Sequence, residues 1–122
     1  MNAQDNVELV TLLSRIQAQA ILEHVRVTQH AQQEMVEEDV TLDEVLQVVT
    51  TGQILEYYPE HKRGACGLLL GRTRLGRVLH IVCTTAQPIL IIITVYEPKL
   101  PKWITPTQRR RRDEMQYCGM SR

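Results

Sequence analysis

The chain has 122 residues, enough for one domain with a real hydrophobic core and too few for a second. No apolar run reaches membrane length, and Met1-Asn2-Ala3-Gln4-Asp5 lacks the basic-then-apolar order of a signal peptide, so a cytoplasmic protein without membrane association is expected. The net charge of zero hides a split: residues 1–60 carry two Arg against eleven Asp/Glu, whereas residues 61–122 carry twelve Lys/Arg against three acids. A basic half of that kind suits a polyanion such as RNA.

Asn6–His24 places Val7, Leu9, Val10, Leu12, Leu13, Ile16, Ala20 and Ile21 near a 3.6-residue stripe, which predicts an amphipathic helix capped by Asn6. Val25-Arg26-Val27 reads as a connection. Thr28 can cap a second helix over Gln29–Glu38, with Ala31 and Met35 four apart on its core face. Thr41-Leu42-Asp43-Glu44 has the form of a capping box and opens a third helix, which Gly52 can end.

Strands follow. Gln53–Tyr58, Cys66–Arg72 and Arg77–Thr84 are expected, the last two joined by the turn Thr73-Arg74-Leu75-Gly76. Ile89–Tyr96 is the densest β-branched run, bracketed by Pro88 and Pro98, and reads as an interior strand. Strict alternation would send Ile89, Ile91, Ile93 and Val95 to one face, and Leu90, Ile92, Thr94 and Tyr96 to a more polar one. The expected architecture is α+β: N-terminal helices packed on a four-stranded antiparallel meander. It occupies residues 1–105, and residues 106–122, with Arg109–Arg112, form a basic, mobile tail.

Candidate chemistry is metal-free and cofactor-free. The three cysteines have no C-x-x-C spacing and read as reduced, partly buried thiols, and the four histidines have no ligand spacing. If the last two strands pair even-numbered positions, His80, Thr94 and Tyr96 share a face. Cleaving an RNA phosphodiester without metal takes a base for the 2′-hydroxyl, an acid for the leaving 5′-oxygen and cations for the charge between them. His80 as base or acid, Tyr96 as orienting or donating hydroxyl, and Lys62, Arg63, Arg72, Arg74 and Arg77 as phosphate contacts satisfy that list by residue type. Tyr57, Tyr58 and Trp103 can stack bases.

Several ordered blocks carry a resemblance: His30-Ala31 with Met35, Gly52–Pro59, Leu69-Leu70-Gly71, Leu79–Val82, Ile93–Pro98 and Lys102-Trp103. Over about residues 26–112 the chain resembles the family called domain of unknown function 4258, whose members look like toxins of the RelE and MqsR kind. The resemblance implies a RelE-like fold, cleavage of mRNA on or off the ribosome, and a cognate antitoxin, often an MqsA-like zinc-finger protein. It adds His30 as a second acid or base. Many relatives have arginines in the helix after that histidine, where this chain has Glu34 and Glu38. The rival expectation is a non-catalytic module that keeps the fold and binds protein or RNA.

Overall fold

The structure, a computed structural model, describes residues 3–85, 88–100 and 102–110. It is an α+β domain whose elements run α1 (Ala3–Ile21), β1 (Val25–Val27), α2 (Gln29–Glu38), α3 (Leu42–Thr51), β2 (Gln53–Tyr58), β3 (Cys66–Arg72), β4 (Val78–Thr84) and β5 (Leu90–Tyr96). Asn6 lies inside α1 rather than at its cap. Thr28 caps α2 by accepting from the Ala31 amide, and Thr41 and Glu44 form the reciprocal capping box of α3.

The sheet has five strands in the order β1-β5-β4-β3-β2, not four. β2 to β5 form the expected antiparallel meander, but Val25–Val27 adds a parallel strand beside β5, making the sheet mixed. Three residues are too few to show a period, so this strand could not be told from a connection. With β1 in place, Leu90–Tyr96 is an interior strand as expected, although β1 covers only Leu90, Ile91 and Ile92. Further along, the exposed edge of β5 is closed by α2: the Glu34 carboxylate accepts from the Val95 amide at 2.9 Å.

A bulge in the β4–β5 pairing corrects the expected facing of β5. His80 pairs with Tyr96 and Val82 with Thr94, but Cys83 then pairs with Ile92. The extra residue, Ile93, shifts the alternation, so Leu90, Ile92 and Val95 all reach the core. Leu69, Leu79, Ile81 and Cys83 join them against Ile16, Ala20, Ala31, Val45, Val48 and Val49 of the helices. Close approach of α3 to the sheet depends on Gly52 and Gly71. A Cβ on Gly52 would sit 2.6 Å from the Val48 carbonyl oxygen, and one on Gly71 would sit 2.9 Å from it. Gly52 is extended (φ −80°), so space rather than a left-handed turn demands glycine there. Gly76, at φ +88°, does meet that conformational demand in the β3–β4 turn.

On the sheet face away from the helices, the segment after β5 folds back as a strap. Trp103 and Arg109 form an antiparallel bridge, and the Arg110 amide donates to the Lys102 carbonyl at 2.9 Å. Pro106–Arg110 therefore belong to the domain rather than to a tail. The rest of the expected tail, 111–122, lies outside the described residues, and with it Cys118. Cys66 and Cys83 are free and buried, and burial pushes both thiols up.

Candidate functional site

His80 and Tyr96 meet as an even-numbered register requires. They are paired across β4 and β5, and the Tyr96 hydroxyl lies 3.1 Å from His80 Nδ1. His80 is nevertheless 0% exposed. Its Nε2 lies 2.7 Å from the Pro106 carbonyl oxygen of the strap. A carbonyl only accepts, so Nε2 carries the proton, and neutral Nδ1 accepts from Tyr96. The Trp103 indole N–H donates in turn to the Tyr96 oxygen at 3.1 Å. Every polar group in this cluster is thereby paired, as burial demands. Burial pushes the imidazole below its ordinary range, partly offset by the Pro106 carbonyl, which leaves it neutral.

Trp103 is 1% exposed and packs edge-to-face on His80 with ring centroids 4.4 Å apart. The Arg109 guanidinium lies 4.6 Å from the Trp103 ring centroid. Those neighbours occupy the indole and remove it from the expected base-stacking role. Arg109 also grips Glu56 through two bonds, at 2.8 and 3.1 Å, and the Tyr58 hydroxyl donates to the same carboxylate. Tyr58 is therefore committed to the strap's anchor, and Tyr57 packs against the core with its hydroxyl directed to Glu8. The bond from Arg109 holds the Glu56 carboxyl below its usual range.

The accessible chemistry lies beside this cluster. A concavity of about 460 Å³ opens between α2 and the segment following β5, with Tyr96 and Trp103 in its wall. His30 and Glu34, one helical turn apart on α2, both line it, and His30 Nε2 lies 3.3 Å from Glu34 Oε1. The His30 side chain is 66% exposed, whereas Glu34 is 19% exposed and tied to the β5 backbone. Burial raises the Glu34 carboxyl, while the Val95 amide and His30 pull it down. Three carboxylates line the concavity, and each has a basic side chain beside it: Glu34 has His30 at 3.3 Å, Glu38 has Lys99 at 3.9 Å, and Glu97 has Arg77 at 3.5 Å. Lys102, which also lines it, has no acidic partner within 4.0 Å among the described residues.

The expected phosphate contacts divide into two groups. Lys62 and Arg63 sit in the loop before β3, whereas Arg72, Arg74 and Arg77 sit at its far end, roughly 20 Å away along seven residues of strand. They do not line one groove. Arg77 has a structural post, donating to the Asp39 carbonyl at 2.7 Å and to the Glu38 carbonyl, which closes the C-terminus of α2. Lys99 and Lys102 carry no local signal that marks them as site residues, although the Lys102-Trp103 block points to that region. Among the described residues no three His, Cys, Asp or Glu side chains gather as a metal site, and no helix is long and apolar enough to cross a membrane.

An α+β domain with a paired, half-accessible imidazole beside a strapped sheet defines only a class. The family described as Domain of unknown function (DUF4258) matches residues 27–97, more than half of the chain, and the chain belongs to that family. The match runs from β1 to just past β5, and so takes in His30, Glu34, His80 and Tyr96. No curated protein and no solved structure matches the chain.

Proposed function

We propose that the chain is the toxin of a type II toxin–antitoxin pair, a RelE-like, metal-independent endoribonuclease that cleaves mRNA in the cytoplasm. The observation that carries this reading is the His30–Glu34 dyad, anchored to the β5 backbone at the rim of the 460 Å³ concavity. Glu34 fixes Nε2 of His30 and leaves Nδ1 as the base for a ribose 2′-hydroxyl. The freed oxygen attacks the adjacent phosphorus, the P–O5′ bond breaks, and a cyclic phosphate forms. Lys102 faces the charge that develops and gives the leaving 5′-oxygen its proton. On this reading Glu34, which departs from the arginine of many relatives, orients the base. His80 touches no substrate and holds the wall formed by Tyr96 and Trp103. The partner is a cognate antitoxin, an MqsA-like zinc-finger protein being the form the family resemblance favours.

Induced alone, the chain is expected to arrest growth and degrade RNA, and purified protein to cut RNA in excess EDTA. His30→Gln should lower cleavage roughly 100-fold or more, the usual scale for a general base, with its melting temperature kept. Undiminished cleavage by a folded His30→Gln protein would overturn the assignment. The three carboxylates in the concavity favour a second reading, a non-catalytic module for a basic peptide, and intact RNA after induction would select it.

A further inference from the structure

The strap has a concavity on each side. Beyond Trp103, Thr105, Pro106 and Thr107 form one wall of a second hollow of about 430 Å³ that also meets Leu70 and Arg72 of β3. Arg72 and Thr51 are shared with a third hollow of about 290 Å³, which adds Gln47, Thr73 and Arg74. The two hollows adjoin at Arg72 and form one groove. Its charge is positive: among the described residues the one acid paired with Arg72 or Arg74 is Asp43, 3.8 Å from an Arg74 side chain that is 78% exposed. Arg72 spends one N–H on the Gly76 carbonyl at 3.3 Å, which aims the guanidinium and leaves its other donors for a ligand. Thr105 and Thr107 add hydroxyls 3.5 Å apart on the strap wall.

The spacing to the His30 concavity follows from strand register. Tyr96 pairs with His80, and His80 pairs with Leu70, so the three form one row across the sheet. Tyr96 lines the first concavity and Leu70 the groove, two strand spacings or about 10 Å apart. The strap between them is pinned at two points, by His80 on the Pro106 carbonyl and by Glu56 on Arg109, and the strand register sets the separation.

We infer that the Arg72–Arg74 groove is a second phosphate subsite, and that the substrate is a single RNA strand lying across the strap with its scissile phosphate at His30 and Lys102. The inference deepens the endoribonuclease reading and rests on it for the identity of the strand. Guanidiniums grip phosphate oxygens bidentately, and Lys102 supplies a point charge at the other end. A fixed spacing between two cationic subsites favours a flexible single strand over a duplex, because the single strand can dip on either side of the ridge.

The test measures binding without chemistry, using labelled 2′-O-methyl RNA of two nucleotides and of about ten, a length in the range small single-strand-binding folds cover. Wild-type protein should prefer the longer strand tenfold or more, with a steep salt dependence. The double variant Arg72→Glu/Arg74→Glu, checked for an unchanged melting temperature, should lose that preference. Its log–log salt slope should flatten by about 0.7 for each phosphate that is no longer neutralised. Arg72→Lys/Arg74→Lys should recover part of the preference. Unchanged length preference and slope in the Glu variant would overturn the subsite, and so would wild-type protein that binds neither strand. Loss of preference in the Glu variant, with no cleavage of ordinary RNA by wild type, would uphold the subsite and remove the nuclease.

Discussion

Two histidines that flank the same tyrosine wall live in opposite environments. His80 is fully buried with both ring nitrogens bonded inside the protein, and burial keeps it neutral. His30 stands at the mouth of a concavity with one nitrogen steered by Glu34 and the other left to a ligand. An imidazole whose hydrogen bonds are all spent holds structure together, and one that keeps a nitrogen free can move a proton. The imidazole beneath the strap is therefore a structural one, and the one beside it is where the proposed chemistry is put to the test.

The largest effect that can break this division is on stability. His80→Ala should cost roughly 3–5 kcal/mol, because it empties a packed ring site and leaves the Tyr96 hydroxyl and the Pro106 carbonyl without their partner. His30→Ala should stay within about 0.5 kcal/mol, as for other exposed positions. Chemical denaturation of both variants measures the difference, and equal losses would erase the distinction.

A smaller effect sharpens it through pH. Burial lowers the His80 pKa in the folded state, so on acidification the unfolded chain takes up this proton first. Stability from this group is therefore full above the ordinary histidine value of about 6.5 and falls as pH drops below it, by at most about 1.4 kcal/mol per pH unit. Melting temperatures followed from about pH 7.5 down to 5.5 should show this slope in wild type and a reduced one in His80→Gln. A slope unaffected by the substitution would mean that other groups carry it.

The smallest expected change concerns the clasp of the strap. Arg109→Ala removes a partly exposed ion pair with Glu56 and a cation–π interaction, together about 1 kcal/mol. Trp103 is the single tryptophan of the chain, so its fluorescence reports on the strap directly. The variant should show a red-shifted emission and easier quenching by solutes. Emission identical to wild type would show that His80 and Tyr96 hold the indole without help from Arg109.

Local patterns in the sequence were enough to place most of the secondary structure, whereas His80 and Tyr96 shared a face only on the condition of an even-numbered register, which the β4–β5 pairing decided. Caps at Thr28 and Thr41, the glycine turn before Arg77 and the β-branched run through Ile89–Tyr96 act over a few residues, where propensity and hydrogen-bond chemistry decide. The family resemblance drew attention to His30, whereas the dyad with Glu34 needed the β5 backbone beside it. Other features depended on distant partners. Val25–Val27 is a strand because β5 offers it an edge, and the bulge at Ile93 sends Leu90, Ile92 and Val95 to one core although their spacing breaks alternation. Burial of His80 and Trp103 comes from a strap whose residues read as a polar tail, because Arg109 finds Glu56 fifty-three positions away. Exposure, counter-charge and the division of the basic residues between two ends of β3 are properties of such long-range pairings, which only tertiary structure creates.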